Sequence, residues 1–188
     1  MKKSELRKQY NKKRQALSSD TVENLSLKIA NRALELPIWD RSTYSLFLSI
    51  TPKKEVDTEF LLNILQGKDK NVTLSKSDFK THEMIHYLLT DNTVIKTNSY
   101  GIPEPQGGIE VQLNQIEVVF IPLLVYDYKG NRIGYGKGFY DRFLAQCNPS
   151  TIKIGLSFYL PEDEVISDLN PSDIPLDYCV TPGSVLKF

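Results

Sequence analysis

The sequence predicts an α/β fold: a three-layer sandwich with a mostly parallel central sheet covered by helices on both faces. Apolar residues at helical spacing alternate along the chain with short apolar runs, an order typical of βαβ units. The most apolar run, residues 117–127, is rich in β-branched residues near its start and predicts a central strand. A glycine-rich stretch and another helical pattern follow it, so we expect the functional site where strands of the sheet end.

The length and composition indicate one ordinary domain. At 188 residues and 40% hydrophobic content, the chain is long enough for one core, so we expect a single domain over residues 1–188. No apolar run approaches the roughly 18 residues that cross a bilayer. The start of the chain continues into a polar helix, unlike a signal peptide, so we expect a cytoplasmic protein. Cys147 and Cys179 lack a metal-motif spacing and are expected to be buried, reduced thiols.

Charge is balanced over the chain but not along it. The 23 basic and 23 acidic residues argue against a surface that binds polyanions throughout. Residues 1–14, however, hold seven basic side chains and only one acidic one. Lys3 and Arg7 lie four residues apart on the predicted first helix, so both can point at one negative target. The alternatives are a solvated helix face or a nonspecific nucleic-acid arm.

Two amphipathic helices begin the chain. Leu6 and Tyr10 belong to the apolar stripe of the first helix. Asp20 and Glu23 resemble a capping box at the start of the second, which is expected to stop before Pro37. The apolar period then changes from helical to extended.

A buried strand is predicted at 43–50, followed by a helix that Asp57 caps and Gly67 ends. Residues 71–76 and 84–90 are further strand candidates. His82 and His86 fall on one face of such a strand without a third ligand, so we interpret both as structural or exposed.

Beyond these strands the pattern again alternates. Residues 100–108 contain two prolines and three glycines and are predicted to form a loop without regular structure. The central strand at 117–127 follows, and then a helix through 139–147. The last elements are strands at 152–158 and near 178–182.

The glycine-rich stretch NRIGYGKGFYDRFL, residues 131–144, is the strongest local signal. A strand, a loop with Gly134, Gly136 and Gly138, and then a helix can turn backbone N–H groups toward a phosphate. The pattern is neither the phosphate loop GxxxxGK[ST] nor the dinucleotide fingerprint GxGxxG. Glycines that only permit tight turns are the alternative interpretation.

Charged residues around these glycines favour a phosphate site. Arg132 and Lys137 supply positive charge, whereas Asp141 would repel a phosphate unless a cation stood between them. Magnesium is the natural mediator, because carboxylates and phosphate oxygens are its usual ligands. Alternatively, Asp141 interacts with the helix dipole. Tyr135, Phe139 and Tyr140 form an aromatic slot or belong in part to the core.

The segment GNRIGYGKGFYDRFL resembles the signature of the 5-formyltetrahydrofolate cyclo-ligase family. Other segments agree with that family in the same order along nearly the whole chain. They are KSELR (3–7), FLSI (47–50) with EVDT (55–58), YGIPEP (100–105), FIPLLVYD (120–127) and DIPLDYCVTP (173–182).

This resemblance implies ATP-dependent ring closure of 5-formyltetrahydrofolate to 5,10-methenyltetrahydrofolate, with Mg²⁺, ADP and phosphate. The formyl oxygen is a poor leaving group, so it attacks the γ-phosphate and departs as phosphate after N10 closes on the activated carbon. The protein's task is then positioning and charge neutralisation, without a nucleophile. The expected partners are these small molecules, with no nucleic acid and no membrane, and we expect a monomer or weak homodimer.

The resemblance also implies roles for individual residues. Arg132 and Lys137 are the implied catalytic residues. The implied ATP-binding residues are Lys3, Arg7, Arg132, Ile133, Gly134, Tyr135, Gly136, Lys137, Gly138, Phe139 and Tyr140. The implied folate-binding residues are Leu48, Glu55, Tyr100, Tyr135, Gly136, Lys137, Gly138 and Phe139, with Glu104 as a further loop residue that closes over the folate.

Asp141 and Asp173 are the implied magnesium ligands. Many relatives have His-Asp at the second position, where this chain has Ser172-Asp173, and Asp173 is alternatively a turn-forming residue after Pro171. The rival functions are a nucleotide- or folate-binding module without turnover, and a sugar-phosphate isomerase or acyl-transfer enzyme on a similar sheet.

Overall fold

The computed structural model describes residues 2–188 and contains four α-helices and eleven strands. The helices are α1 (Lys3–Gln15), α2 (Ser19–Ala33), α3 (Glu59–Gly67) and α4 (Phe139–Gln146). The strands are β1 (Thr43–Ser45), β2 (Asn71–Asp78), β3 (Glu83–Leu88), β4 (Ile95–Thr97), β5 (Pro103–Pro105), β6 (Val118–Pro122), β7 (Val125–Tyr126), β8 (Arg132–Ile133), β9 (Ile152–Leu156), β10 (Tyr178–Val180) and β11 (Val185–Lys187). No helix within 2–188 is long and apolar enough to span a membrane.

Seven strands form the central sheet in the order β11-β10-β9-β6-β1-β2-β3. All neighbours pair in parallel except the two edge pairs, β2 with β3 and β10 with β11, which are antiparallel. The chain runs outward from β1 to β2 on one side and from β6 to β9 on the other. The carboxyl ends of β1 and β6 therefore flank the switch point at which α/β sheets bind ligands.

Strand β6 shows why the sheet is covered on both faces. Val118 and Phe120 belong to one core cluster, together with buried residues of α2 and α3. Val119 and Ile121 point to the opposite face and pack in a second cluster with Phe143 of α4. Successive side chains of a strand alternate between faces, so an uninterrupted apolar run predicts burial on both sides. The predicted α/β sandwich is confirmed.

Two predicted strands are shorter than the apolar runs that indicated them. Strand β1 ends at Ser45 rather than at residue 50, because the next backbone groups bind side chains: Thr58 Oγ1 donates to the Phe47 carbonyl (2.6 Å), and the Ile50 N–H donates to a carboxylate. The run 117–127 is split, because Val125 and Tyr126 leave the sheet and pair antiparallel with β8.

The prediction that residues 100–108 lack regular structure was wrong in part. Pro103–Pro105 forms β5 and pairs antiparallel with β4, with Glu104 opposite Lys96. Only alternate residues of an antiparallel pair exchange hydrogen bonds, so prolines on either side of Glu104 are tolerated in a two-stranded ribbon. Strand β11 had no predicted counterpart.

Other corrections are local. Ser18, not Asp20, caps α2, since its hydroxyl accepts the Thr21 N–H (3.1 Å). Thr58, not Asp57, occupies the N-cap position of α3, although Asp57 accepts the N–H of Glu59, the first helical residue (3.0 Å). Cys179 is buried, but Cys147 is only partly buried.

The two histidines do not share a strand. His82 lies in the turn before β3 with φ +61°, so the prediction that it shares a strand face with His86 was wrong. His86 is buried and stacks on Phe143, with ring centroids 4.2 Å apart. Burial lowers the pKa of His86 to about 4, so the ring is neutral near pH 7. This histidine is structural, as expected.

Candidate active site

One large cavity, of about 1050 Å³, opens beside the carboxyl ends of β1 and β6. Glu104 does not line this cavity, but the other residues that the sequence assigned to a site do: Lys3, Arg7, Leu48, Glu55, Tyr100, residues 132–141 and Asp173. These residues come from six separate segments of the chain. Their meeting at one cavity is a fact of the fold, whereas their individual roles stay predictions.

The glycine-rich loop is held at its base by Asp127, which is fully buried. Its Oδ1 accepts the N–H groups of Lys129 (2.9 Å) and Asn131 (3.0 Å). Its Oδ2 accepts the Asn131 side-chain amide (2.8 Å) and the Ile166 N–H (3.0 Å). These four bonds shape the β7–β8 turn and fix the point from which the loop leaves toward the cavity. The sequence analysis gave Asp127 no role, although it ends the apolar segment FIPLLVYD.

Gly136 and Gly138 admit two guanidinium groups. Both have positive φ, +87° and +73°. A Cβ on Gly136 would lie 3.1 Å from Cζ of Arg7, and a Cβ on Gly138 would lie 2.8 Å from Nη1 of Arg142. Arg7 also donates to the Gly134 carbonyl (3.0 Å), and Arg142 to the Lys137 carbonyl (3.1 Å). The glycines thus place positive charge against the loop, a function beyond permitting a turn. Sequence reasoning missed Arg142.

Helix α4 begins inside the cavity wall. Gly138 occupies its N-cap position and no side chain caps the helix. The free N–H groups of a helix start and the helix dipole favour an anion. Lys137, which precedes the cap, is exposed and lines the same cavity. This end of the cavity therefore suits a phosphate group.

Arg132 is buried, although arginine side chains are usually exposed. Only 9% of its surface is accessible. Its two terminal nitrogens donate to Oδ1 of Asp141 (3.0 and 2.9 Å), and Nη1 also donates to the Ile174 carbonyl (2.6 Å). The Ile174 N–H donates to the same Asp141 oxygen (3.0 Å). Arg132 therefore ties α4 to the segment 170–174 as well as bringing charge to the cavity.

Lys3 forms a second pair across the cavity rim. Its ammonium contacts Asp173, and its backbone N–H donates to Asp168 (2.8 Å). Burial alone would raise the pKa of Asp173, but the Asn170 N–H and the Lys3 ammonium hold this pKa below its ordinary value. Asp173 also shapes the turn at Asn170, so the turn-forming interpretation and a metal role are compatible.

The two acidic residues fit a magnesium ion that arrives with phosphates. Within residues 2–188, no group of three histidine, cysteine or acidic side chains stands ready to hold a metal alone. Asp141 and Asp173 both line the cavity, and each is paired with a cation, Arg132 and Lys3 respectively. Mg²⁺ commonly takes one or two carboxylates and completes its shell with phosphate oxygens and water. The donor set suits that arrangement.

Glu55 lines a second region of the cavity, which shares no hydrogen bond or ion pair with Lys3, Arg132, Asp141 or Asp173 among residues 2–188, and it is 4% exposed. Its Oε2 accepts the Ile50 N–H (2.6 Å), and its Oε1 accepts the Tyr135 hydroxyl (2.5 Å). Burial raises the pKa of Glu55, while these two bonds and the charges of Arg14 and Lys53 oppose the rise. A carboxylate has further lone pairs, so Glu55 can still accept hydrogen bonds from a ligand.

Tyr135 connects Glu55 with the first helix. Its hydroxyl accepts a hydrogen bond from Nη2 of Arg14, which is 5% exposed. The Lys53 ammonium lies 4.0 Å from the centre of the Tyr135 ring. Arg14 and Lys53 were not predicted as site residues. Arg14 was hidden among the seven basic residues of the N-terminal segment, and only its i, i+4 spacing from Tyr10 marked it as facing inward.

An aromatic stack borders the cavity near the β4–β5 ribbon. Tyr100 stacks on Phe79, with ring centroids 3.9 Å apart, and Phe79 meets Phe139 edge to face at 5.1 Å. Phe79 lies in the β2–β3 turn and was not predicted. Glu104 accepts a hydrogen bond from Asn98 Nδ2 (3.2 Å) within the ribbon.

Known proteins of one family resemble this chain over most of its length. Residues 1–182 match the profile of the 5-formyltetrahydrofolate cyclo-ligase family. The chain is 31% identical to a 5-formyltetrahydrofolate cyclo-ligase of Haemophilus influenzae over 87% of this chain and 89% of that protein.

Two solved structures resemble the fold. A 5,10-methenyltetrahydrofolate synthetase of Aquifex aeolicus superposes with a TM-score of 0.79 at 30% identity, covering 100% of this chain and 93% of its own. A 5,10-methenyltetrahydrofolate synthetase of Mycoplasma pneumoniae gives a TM-score of 0.76 at 28% identity, covering 97% and 99%.

Proposed function

Since the chain belongs to the 5-formyltetrahydrofolate cyclo-ligase family, we propose that it converts 5-formyltetrahydrofolate to 5,10-methenyltetrahydrofolate while ATP becomes ADP and phosphate. The single observation that supports this most is the cavity of about 1050 Å³, whose wall contains both a phosphate-suited helix start and a buried carboxylate. Pockets for one small molecule commonly span roughly 300–1000 Å³. A cavity at the top of that range suits two substrates that must touch.

The phosphate end would bind the triphosphate of ATP. Lys3 and Arg7 from α1, Lys137 from the loop and the uncapped start of α4 all favour negative charge there. Magnesium, held by Asp141, Asp173 and the phosphates, would neutralise charge that builds on the transferring phosphoryl group. Lys3 and Arg132 now balance these two carboxylates, so binding of Mg-ATP would redistribute existing ion pairs.

The Glu55 end would bind the folate. The pterin ring presents N–H donors, and a buried carboxylate that accepts them forms charge-assisted hydrogen bonds. Leu48, Phe139 and Tyr100 supply apolar and aromatic surface for the ring system. The formyl group would then face the glycine loop, whose Gly134 has open space above it.

The chemistry needs orientation more than covalent help. The formyl oxygen forms a bond to the γ-phosphorus as the bond to ADP breaks. N10 then attacks the activated carbon and loses its proton, and the carbon–oxygen bond breaks to release phosphate. Arg7, Lys137 and Arg142 line the cavity and would stabilise charge on the transferring group.

An isotope experiment tests this reaction. With ¹⁸O in the formyl group of 5-formyltetrahydrofolate, we expect the label in the inorganic phosphate and ADP formed in equal amount to the methenyl product. Label that stays out of phosphate contradicts phosphorylation of the formyl oxygen. A folded protein that binds both ligands without turnover is a binding module instead.

A further inference from the structure

Arg14 is a buried cation whose hydrogen-bonding groups are only partly satisfied. It is 5% exposed, and its Nε has no hydrogen-bond partner among residues 2–188. One terminal nitrogen, Nη1, donates to the Leu123 carbonyl in a long hydrogen bond of 3.4 Å. Burying a guanidinium with an unmet donor costs free energy, because the group gives up water without full replacement. Such a residue calls for a function that offsets this cost.

Two consecutive hydrogen bonds connect Arg14, through Tyr135, with Glu55 at the folate end of the cavity. Its Nη2 donates to the Tyr135 hydroxyl, and its guanidinium lies 5.6 Å from the centre of the Tyr135 ring. The Tyr135 hydroxyl in turn donates to Oε1 of Glu55 (2.5 Å). A tyrosine hydroxyl has one proton to donate. Because Arg14 has no acceptor atom, the Tyr135 hydroxyl accepts from Arg14 and donates its own proton to Glu55.

We propose that Arg14 is a positioning residue for the folate site, which acts through the Tyr135 hydroxyl to orient the Glu55 carboxylate and keep it a charged acceptor. The proposal rests on the function proposed above. Arg14 itself lies behind Tyr135 and is absent from the cavity lining, whereas Tyr135 and Glu55 line it.

The surroundings of Glu55 indicate what Arg14 contributes. Four titratable groups face this carboxylate: Arg14 from α1, Lys53 from the turn before it, Tyr135 from the glycine loop and Tyr140 from α4. Two of them are cations, and only Arg14 bonds to the hydroxyl that touches the carboxylate. Burial raises the pKa of Glu55, and both Arg14 and Tyr135 oppose that rise. Without them, a larger fraction of Glu55 would be protonated at mildly acidic pH.

The test compares Arg14→Met, Tyr135→Phe and the double variant by calorimetric titration with 5-formyltetrahydrofolate. We expect either single change to weaken folate binding roughly tenfold, as for a hydrogen bond to a charged group. The double variant should bind no more weakly than the weaker single variant, because both changes break one chain. In Arg14→Met, Mg-ATP affinity should stay at the wild-type value. Lys12→Met, on the exposed face of the same helix, is the matched control and should leave folate affinity unchanged.

The pH profile separates positioning from mere structural support. Folate affinity falls as pH drops through the pKa of Glu55, and this acid limb should move to higher pH in Arg14→Met and in Tyr135→Phe. Arg14→Lys, which keeps the charge, should move the limb back toward the wild-type position. Wild-type folate affinity in Arg14→Met, additive effects in the double variant, or an unmoved acid limb would overturn the proposal.

A second variant and a ligand-free titration test the same role of Arg14. Tyr135→Phe removes one oxygen atom, so it provides the same pH comparison if Arg14→Met does not fold. Carbon-13 NMR of the Glu55 carboxyl, assigned with Glu55→Gln, needs no ligand. Arg14→Met should raise its titration midpoint, and an unmoved midpoint overturns this inference. Lack of product with the wild-type protein overturns the proposed reaction and leaves that titration as a separate result.

Discussion

The two ends of the cavity hold their charges in different ways. At the phosphate end, Lys3 pairs with Asp173, and these side chains are 14% and 23% exposed. Arg132 pairs with Asp141 there. At the folate end, Glu55 has no ion pair with any of residues 2–188 and is held by a backbone N–H and a hydroxyl. The phosphate end therefore contains exchangeable pairs, whereas the folate end contains one fixed acceptor.

This difference follows from what each end is proposed to bind. A metal–triphosphate brings both signs of charge, so pairs that open on binding can be replaced by new pairs of similar strength. A neutral pterin ring brings hydrogen-bond donors of fixed geometry, and an acceptor that is already oriented loses little entropy on binding. Variants at the two ends should consequently fail in different ways.

The largest contrast is expected between two cations of the phosphate end. Arg132→Ala removes three hydrogen bonds and leaves Asp141 without its partner, so we expect a strong loss of turnover and a stability loss of roughly 2–4 kcal/mol, somewhat below the value for a fully buried pair. Lys137→Ala should also slow turnover, with stability within about 0.5 kcal/mol of wild type because this side chain is exposed. Urea unfolding with steady-state kinetics measures both effects; equal stability of the two variants contradicts the structural role of Arg132.

Glu55→Gln tests the fixed acceptor. It keeps the side-chain volume and removes the charge, so folate binding should weaken by on the order of 1.5–3 kcal/mol. Mg-ATP affinity should barely change, since Glu55 makes no hydrogen bond or ion pair with Lys3, Arg132, Asp141 or Asp173 among residues 2–188. Calorimetric titration of each ligand measures the two constants. If Mg-ATP binding weakens as much as folate binding, the two ends are not separate sites.

Lys3→Ala should raise the KM for ATP roughly three- to tenfold, the range of one partly exposed polar contact. It also frees Asp173, which adds negative charge near the phosphates. Lys12→Ala, which lies two and a half turns further along α1 on its exposed face, is the matched control and should have no effect. Equal effects at both positions would indicate a general basic arm, the alternative left open by the sequence.

The smallest expected effect is on the pH dependence of the free energy of unfolding. The contributions of Glu55 and Asp173 to it should change with pH in opposite directions. The pKa of Glu55 is raised, so its contribution to stability is present at low pH and lost as pH rises through the folded pKa. The pKa of Asp173 is lowered, so its contribution is present at higher pH and lost as pH falls toward the folded pKa. Between about pH 3 and 7, wild type should gain stability relative to Glu55→Gln on acidification. Over the same range it should lose stability relative to Asp173→Asn. Slopes of the same sign would contradict the contrast between the two ends.

Sequence reasoning was effective where one short segment contains the chemistry. The glycine loop, the start of α4 and Asp141 lie within residues 132–141, where the sequence predicted a strand, a loop and a helix; the binding of phosphate there stays a prediction. The apolar period gave the central strand β6, because burial on both faces leaves a continuous apolar run. Elements that depend on residues close together in the sequence can be predicted in this way.

The folate end was less predictable, since residues 14, 55 and 135 meet only through tertiary structure. Arg14 looked like one more cation of a basic segment, and the fold buried it against Tyr135. The sequence indicated only the positive charge of Arg132, and its burial depends on a hydrogen bond to Ile174, far along the chain. Side chains also ended β1 early, by binding backbone groups that the ladder would otherwise use.

The most direct test of the account is absorbance of the methenyl product when purified protein is mixed with (6S)-5-formyltetrahydrofolate. We expect product with Mg-ATP, ADP in equal amount, and none when ATP is omitted. Product formed without ATP, or no product from folded protein that binds both ligands, would contradict the claim that the two ends of this cavity bring a nucleotide and a folate together for reaction.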